Sequence, residues 1–395
     1  MSTQNASTPN VVMISLDTLR ADVAYSGAFS SIERLRRAGT SFLTTVSSSP
    51  LTPISHATVF TGLQPARHGV RHLLREQIRA GVKTLPQFLT EKDYVTGAIV
   101  SCPGMNRWYG LDRGFGHYDD WIPPLADGRD ALKVVDVELR GTALKRAPMV
   151  VERTLEWVRR SGTGPKLIFA HFFDAHWPYE APTTPPVKLA NAYEEEVWYM
   201  DHYLGELLDG LEEVGINCEN SIFIMFSDHG EDLAGWYPND HGGALGHPEE
   251  KGHGCLLFDA TQLVPLVVCA PGVATANSNI EDQVRLVDVM PTALELLGCN
   301  TFKGDGRSLV PLLRGESLPA DFAYCEAFYR EELAAINPAW SHLLPLKGLR
   351  SLTEKFIWEV GSDKVEAYDL RQDPRERNPQ ASVPSTFQKA HTAYT

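Results

Sequence analysis

One short segment carries a hydroxyl and an imidazole at a spacing suited to chemistry on an anion. Leu51 to Gly62 contains Thr52, Pro53 and His56. Because proline is favoured in the first turn of a helix, we expect a helix here with Thr52 at its N-cap. The helix dipole then attracts negative charge beside the Thr52 hydroxyl, and His56 lies on the same helix face. An ordinary threonine cap is the alternative that this segment alone leaves open.

Acidic residues stand at the ends of three short apolar runs. These residues are Asp17, Asp174 and Asp228, the last followed directly by His229. In open α/β sheets the ligand edge lies at the carboxyl ends of the strands, so three such ends are expected to converge there. A single aspartate at a strand end is more often a turn or helix-cap residue. The convergence therefore predicts a site only if the runs are neighbouring strands.

The hydropathy pattern predicts an α/β fold with a large, mostly parallel central sheet flanked by helices on both faces. Buried-strand runs alternate with amphipathic helical stretches, as in such folds. After residue 298 the hydropathy pattern changes to short segments and to patterns typical of antiparallel strands. We expect a catalytic domain at 1–298 and a smaller C-terminal α+β lobe with an antiparallel sheet at 299–395. The predicted elements are the strands Val11–Leu16, Leu167–Phe173, Ser221–Ser227 and Val264–Cys269, and the helices Ile32–Ala38, Tyr193–Glu213 and Asp288–Leu297.

Short motifs in a fixed order cover nearly the whole chain. They are Asn10–Asp22, Thr52–Gly62, Pro65–Val70, Gly110–Asp119, Phe173–Tyr179, Phe226–Glu231, Gly252–Leu266, Leu286–Thr292 and Tyr368–Leu370 with Asp373–Pro374. In this order they resemble the sulfatase family of the alkaline phosphatase superfamily. The resemblance implies a metal-bearing site that acts on an anionic ester.

The sequence departs from that family at the reacting atom. The nucleophile of such sulfatases is a Cys or Ser matured to formylglycine, and the resemblance places Thr52 at this position and His56 at that of an arginine. Threonine cannot become formylglycine. A threonine here is similar to the nucleotide pyrophosphatase/phosphodiesterases and the lipoteichoic-acid-synthase-like enzymes. The usual Asp-Asn pair reads Asp228-His229, which points to transition-metal chemistry in place of a lone Ca²⁺.

The residue types predict a first metal position. A threonine hydroxyl is a weak nucleophile until a metal or base activates it. Asp17, Asp228 and His229 supply two oxygens and a nitrogen, and the Thr52 alkoxide supplies a fourth donor. Mixed oxygen and nitrogen ligation suits Zn²⁺ or Mn²⁺ better than Ca²⁺. We expect one or two divalent transition metal ions, with calcium the weaker candidate.

A second set of residues is predicted to serve a second metal or the substrate. Asp174, His176 and His253 are its members, and the resemblance aligns His253 with a lysine that touches substrate. The Asp-x-His spacing is tighter than that of the diesterases, so His176 binding the substrate's anionic oxygens is the open alternative. His176 and His56 complete the predicted catalytic set with Thr52.

The leading hypothesis is a metal-dependent hydrolase of phosphoric esters. The substrate would be a phosphodiester, a phosphonate ester or a phosphomonoester, and the intermediate a phospho-threonine at Thr52. A sulfate-ester hydrolase or a phosphoryl transferase on the same scaffold is one alternative. A catalytically inactive anion-binding scaffold is another.

Composition excludes some classes of protein. The chain has 395 residues, with 36 Lys and Arg against 50 Asp and Glu, which gives a formal net charge of −14. So acidic a chain is not expected to coat nucleic acid. No apolar run reaches the length of a membrane span, and the N-terminal residues lack a signal-peptide pattern. We expect a cytoplasmic protein that binds a small anionic ester and no membrane, and a homo-oligomer stays open.

Overall fold

An eight-stranded sheet forms the centre of the protein. The computed structural model describes residues 8–73, 75–134, 137–241, 252–299, 302–329 and 344–394. The strands of the large sheet are β1 (Val11–Leu16), β2 (Thr40–Val46), β3 (Val95–Ile99), β4 (His117–Asp119), β5 (Lys166–Phe172), β6 (Ile222–Phe226), β7 (Leu263–Cys269) and β8 (Ser278–Arg285). Their order across the sheet is β4-β3-β5-β1-β6-β7-β2-β8.

The pairing confirms a mostly parallel sheet. β1 lies between β5 and β6 and is parallel to both. β7 is the exception among these strands, because it runs antiparallel to β6 and to β2. The carboxyl ends of β5, β1 and β6 therefore lie side by side at one edge, which is where such folds bind ligands.

Helices cover both faces of this sheet, as predicted. Side chains of β1 alternate between two cores: Val11 and Met13 face one, and Val12 and Ile14 face the other. The α-helices are α1 (Ala21–Ala24), α2 (Ser30–Ala38), α3 (Thr52–Thr61), α4 (Pro65–His68), α5 (Leu85–Thr90), α6 (Val137–Gly141), α7 (Ala147–Arg160), α8 (Ala192–Glu213), α9 (Asp259–Gln262), α10 (Val289–Leu296), α11 (Val310–Leu313) and α12 (Ser385–Tyr394). The first core contains α3, α5 and α10, and the second contains α2, α7 and α8.

Single 3₁₀ turns punctuate the loops between these elements. They span Pro103–Met105, Arg107–Tyr109, Ala131–Lys133 and Leu286–Asp288. The last of them leads directly into α10, so the helix predicted from Asp288 begins as a tighter turn.

A smaller antiparallel sheet follows near the C-terminus, as predicted. Its strands are β9 (Ala323–Ala327), β10 (Leu346–Arg350), β11 (Glu354–Glu359) and β12 (Val365–Asp369). Their spatial order is β12-β11-β10-β9, and α12 packs on one face of this sheet. The domain boundary after residue 298 stays a prediction. Among the described residues, no helix has the length and apolar character needed to cross a membrane.

Candidate active site

Three chain segments meet where the two central strands end. Asp17 directly follows β1, Asp228 and His229 follow β6, and α3 begins at Thr52. Because β1 and β6 are parallel neighbours, their carboxyl ends lie together. Asp17, Asp228 and His229 each place one ligand atom within 4.8 Å of the others, and all three are buried. The structure thus brings together the predicted first metal set around the hydroxyl of Thr52.

Thr52 does not cap its helix. Leu51, in an extended conformation, holds the N-cap position of α3, so the helix begins one residue earlier than predicted. The Thr52 hydroxyl makes no capping hydrogen bond to α3. It donates to Asp17 Oδ2 at 3.2 Å, and His229 Nε2 lies 3.4 Å away. The prediction of a threonine N-cap is therefore wrong, because the carboxylate at the end of β1 holds this hydroxyl.

The two carboxylates are poorly satisfied by the protein alone. Asp17 Oδ1 and Asp228 Oδ2 are buried and have no hydrogen-bond partner. Burial raises the pKa of Asp17 to about 7. Unpaired buried oxygens of this kind are costly unless a proton or a cation neutralises them. The donor set fits a divalent cation on this ground.

The orientation of His229 favours the same occupant. Its Nδ1–H donates to the carbonyl oxygen of Gly230 at 3.0 Å, so the lone pair of Nε2 faces the carboxylates. Nε2 lies 3.4 Å from Asp228 Oδ2. A backbone partner on the outer ring nitrogen is the usual way to orient a metal-bound histidine. One nitrogen among oxygens suits zinc or manganese better than calcium.

His56 lies beneath the site. It is fully buried, donates from Nδ1 to the carbonyl oxygen of Thr52 at 2.8 Å, and contacts Ser15 Oγ through Nε2 at 2.9 Å. Burial lowers its pKa to about 3, so the ring is neutral. Both nitrogens are thus engaged by protein groups. A catalytic role for His56 stays a prediction, and its contacts favour positioning of the residue that carries the nucleophile.

Asp174 lies apart from the two ligand clusters found among the described residues. Its Oδ1 accepts the backbone N–H of Ala147, the first residue of α7, at 3.1 Å, and Arg146 Nη1 lies 3.6 Å away. Burial raises its pKa to about 6. This contact corresponds to the alternative of an aspartate that binds the start of a helix. A metal role for Asp174 stays a prediction, and no ligand cluster supports it.

His176 and His253 line one side of the site. Their ring centroids lie 4.9 Å apart, and the ring of His253 lies 4.2 Å from that of His229. His253 Nδ1 contacts Glu231 Oε1 at 2.9 Å, while His176 Nδ1 donates to the carbonyl of Trp177 at 2.7 Å. Both rings are partly exposed. They are placed to meet a ligand that approaches from solvent.

Three further residues reach the site without having been predicted. His171 Nε2 lies 3.1 Å from Asp17 Oδ2, Cys102 belongs to a second ligand group with these two residues, and Glu231 orients His253. Burial raises the pKa of Glu231 to about 8. Cys102 lies in the loop after β3, three residues beyond the strand, so the rule for residues directly at strand ends does not mark it.

Most of the chain matches a known protein family. The profile of the family described as Sulfatase matches residues 9–299. Arylsulfatase D of Homo sapiens is 30% identical over 227 residues, which cover 56% of this chain and 37% of that protein. Steryl-sulfatase of Rattus norvegicus is 31% identical over 183 residues, which cover 44% and 31%. The matched part therefore spans about a third of the length of these relatives.

Solved structures share the whole fold. A protein in complex with its substrate D-glucosamine-2-N,6-O-disulfate has a TM-score of 0.72 at 17% identity, covering 98% of this chain and 96% of that chain. The phosphonate monoester hydrolase of Agrobacterium radiobacter has a TM-score of 0.68 at 17% identity, covering 98% and 94%. The fold prediction is confirmed by both likenesses.

Proposed function

This chain belongs to the sulfatase family, and from that premise we propose that it is a metal-dependent hydrolase of sulfate or phosphate esters with Thr52 as its nucleophile. One observation carries the proposal. The Thr52 hydroxyl, although at the start of a helix, is directed to Asp17 and His229 instead of to the helix backbone. A hydroxyl held between a buried carboxylate and a metal-ligating imidazole is arranged for activation.

We place sulfate esters first among the substrates. The named relatives are an arylsulfatase and a steryl-sulfatase, and they favour this alternative over the phosphoric esters that the sequence alone suggested. A sulfate ester is also the small anionic partner expected for such a site.

Phosphorus esters are the second candidate, favoured by the residue at position 52. Formylglycine carries two oxygens on one carbon once it is hydrated, so it can expel sulfate by breaking a carbon–oxygen bond. Thr52 carries one oxygen there, so water must attack the sulfur or phosphorus atom of its ester. In-line displacement at phosphorus is a reaction that metal sites promote, so a phosphorus ester on Thr52 can be released in this way.

The chain's own residues supply most steps of the reaction. A divalent cation bound by Asp17, Asp228 and His229 would supply positive charge. That charge would lower the pKa of the Thr52 hydroxyl and offset the negative charge of the ester. Asp17 Oδ2 receives the Thr52 proton as the oxygen attacks sulfur or phosphorus. The bond from that atom to the alcohol oxygen breaks on the opposite side. Water then attacks the same atom, the bond from that atom to the Thr52 oxygen breaks, and Asp17 Oδ2 returns its proton to the Thr52 oxygen.

His253 and His176 serve the leaving group and the anionic oxygens in this scheme. Glu231 holds His253 through Nδ1, which directs Nε2 away from Glu231. Because burial raises the pKa of Glu231 to about 8, its carboxyl O–H donates to Nδ1 at neutral pH, and Nε2 of the neutral ring carries the proton. His253 delivers that proton to the departing alcohol oxygen while Nδ1 takes the proton of Glu231. The proton that the attacking water later loses to Nε2 reverses this transfer. The ring of His176 is stacked on Phe173, with the centroids 4.2 Å apart. Its Nδ1–H already donates to the carbonyl of Trp177, so Nε2 donates to an oxygen of the ester only in the doubly protonated ring, a form that the negative charge of the bound ester favours.

The substrate class is tested with purified enzyme and matched 4-nitrophenyl esters. The panel contains 4-nitrophenyl sulfate, 4-nitrophenyl phosphate, bis(4-nitrophenyl) phosphate and 4-nitrophenyl phenylphosphonate. We expect kcat/KM to be highest for the sulfate. Higher turnover of any phosphorus ester would move the function to the second candidate. Product transferred to an added alcohol in preference to water would make the enzyme a transferase.

The nucleophile is tested with two variants of Thr52. Thr52→Ser keeps the hydroxyl and should retain turnover, whereas Thr52→Ala should lose it by about 10³-fold or more. Mass spectrometry of acid-quenched enzyme should find the sulfo- or phospho-group on the peptide that contains Thr52. Equal rates for wild type and Thr52→Ala would refute a threonine nucleophile. Absence of any turnover with each metal would favour the anion-binding scaffold.

The identity of the cation is part of the proposal. His229 nitrogen favours zinc or manganese, and elemental analysis of the purified protein should find one of them. Calcium alone would contradict this choice. The cytoplasmic location, the lack of nucleic-acid partners and a homo-oligomeric state stay predictions.

A further inference from the structure

A second group of ligand atoms lies beside the first and shares one residue with it. Asp17, Cys102 and His171 each place one such atom within 4.8 Å of the others, and all three are buried. This group contains none of the residues predicted for a second metal. Its elements are the ends of β1, β3 and β5, which are adjacent in the sheet.

The hydrogen bonds of His171 fix its orientation. Ser101 Oγ–H donates to the carbonyl oxygen of His171 at 2.7 Å, and Ser101 Oγ lies 2.8 Å from Nδ1. In one tautomer Nδ1–H donates to Ser101 Oγ. In the other, Nδ1 accepts from the Ser101 backbone N–H at 3.3 Å and Nε2–H donates to Asp17 Oδ2 at 3.1 Å.

In both tautomers His171 Nε2 faces Asp17 Oδ2, 3.1 Å away. A proton lies between the two atoms in one tautomer, and a cation that takes the place of that proton would be bound by both atoms while Nδ1–H donates to Ser101 Oγ. Asp17 Oδ1 is also buried without a hydrogen-bond partner. A metal-binding histidine commonly makes a hydrogen bond through its other ring nitrogen, and the Ser101 hydroxyl can serve as that partner.

Cys102 brings a sulfur atom next to the nucleophile. A Cβ built on Gly104 would lie 3.4 Å from both Cys102 Sγ and Thr52 Cβ, so the loop after β3 passes directly over both side chains. The thiol is 1% exposed, which separates it from solvent oxidants and reagents. The thiol can therefore react only with groups of the site or with an ion bound there.

We propose that Cys102, His171 and Asp17 hold a second divalent cation, and that its thiolate ligand selects zinc over manganese and calcium. Thiolate sulfur binds soft cations, whereas calcium and manganese prefer oxygen. The thiolate adds a third negative charge to the carboxylates of Asp17 and Asp228, which matches two divalent cations while leaving positive charge for an anionic ester. The inference deepens the proposed function and rests on it only through the shared Asp17.

Cadmium tests the thiolate ligand directly. Purified protein is dialysed against Cd²⁺ under a non-thiol reductant, and the ultraviolet thiolate-to-cadmium charge-transfer band is recorded. We expect the band in wild type and in the control Cys299→Ala, which removes another buried cysteine. Cys102→Ala should lose it. A wild type without the band, or a Cys102→Ala protein that keeps it, would overturn the proposal.

Zinc content gives a second, independent measure. We expect about two equivalents in wild type and about one in Cys102→Ala and in His171→Gln, with circular dichroism showing that the variants are folded. Unchanged zinc content in both variants would also overturn the proposal. Asp228→Asn should keep the cadmium band although it loses turnover. The band therefore reports on this position even if the proposed esters are not hydrolysed.

Discussion

Asp17 and Asp228 illustrate how this site exchanges stability for function. Each has a buried oxygen that no protein donor satisfies, and the two carboxylates lie close enough to bind the same cation. Without a cation, such oxygens weaken the fold, because a buried carboxylate oxygen without a partner has lost its hydration. With a cation, the same oxygens become ligands, and binding adds to the free energy of unfolding.

The first prediction follows from this balance. Asp228→Asn removes one buried negative charge, so we expect the metal-free protein to be more stable than wild type by about 1–2 kcal/mol. Added zinc should stabilise wild type strongly and the variant little. Thermal unfolding with EDTA and with zinc measures both effects. A variant less stable than wild type in EDTA would contradict the reading of these oxygens as uncompensated.

The second prediction concerns His56. Because its ring is fully buried and bonds Thr52 through Nδ1, we expect His56→Ala to lower the free energy of unfolding by about 2–4 kcal/mol. It should also lower kcat with little change in KM, since the nucleophile loses its support. Urea unfolding and steady-state kinetics provide the measurements.

A second buried histidine provides the matched control. His68 is fully buried at the end of α4 and contacts Thr58 Oγ1 at 3.1 Å. His68→Ala should cost similar stability while leaving kcat of the folded enzyme unchanged. A His56→Ala enzyme with raised KM and unchanged kcat would instead indicate the direct substrate role that the sequence suggested.

At the scale of elements, α3 must be anchored at both ends to present its first residue. Its end is set by Gly62, which adopts a left-handed conformation with φ of 61° and whose backbone N–H donates to Thr58. A Cβ at this position would lie 2.6 Å from the ring of Phe302. Glycine is thus required there by backbone conformation and by contact together.

The third prediction separates these two requirements. Gly27 also has a positive φ, 83°, but nothing lies within 4 Å of the position of its Cβ. We expect Gly27→Ala to lower the free energy of unfolding by about 1 kcal/mol from conformation alone. Gly62→Ala should lower it by about 2–4 kcal/mol because contact with Phe302 adds to that strain. Urea unfolding compares them, and equal losses would exclude a role for the contact.

The strands and the first metal set could be predicted because their signals are local. Short apolar runs mark β1 and β6, and the residue after such a run lies at the ligand edge whatever the rest of the chain does. Asp17, Asp228 and His229 follow that rule. Asp174 gives the same signal, yet its carboxylate contacts the start of α7. The sequence cannot distinguish the cases, because the N–H of Ala147 is 27 residues away in the chain.

The second ligand group needed information that no local pattern holds. Cys102 lies in a loop, and His171 lies within a buried strand where either face would accept it. Only the order β3-β5-β1 brings them beside Asp17. The position of Thr52 was found by resemblance, but its hydrogen bond to Asp17 depends on how α3 crosses the sheet.

At the scale of the whole molecule, a buried charged cluster joins the smaller sheet to the larger one. The lysine cluster consists of Asp259 from α9, Arg350 from β10, Lys355 from β11, and Glu376. Lys355 Nζ lies 2.8 Å from Asp259 Oδ1 and 2.6 Å from Glu376 Oε1. Arg350 Nη2 lies 2.8 Å from Asp259 Oδ2. Removing one member of such a cluster leaves the others charged and unpaired.

Glu376 makes the strength of this junction depend on pH. Burial raises its pKa to about 7, although Lys355 acts in the opposite direction. Without Lys355 the pKa of Glu376 must rise further. A carboxyl whose folded pKa lies above its unfolded value binds more protons in the folded state. Its contribution to stability is therefore present at low pH and is lost as the pH rises from the unfolded towards the folded pKa.

The fourth prediction applies this sign to Lys355→Met. Near about pH 5 Glu376 takes up a proton and the variant should lose little stability; above about pH 8 the loss should reach about 3–5 kcal/mol. Urea unfolding at the two pH values measures it. Lys364→Met, which removes a largely exposed ion pair with Glu359, should change stability by less than about 1 kcal/mol at either pH. Adding Glu376→Gln to Lys355→Met should abolish the pH dependence, and equal losses at both pH values would assign the cost to packing instead of charge.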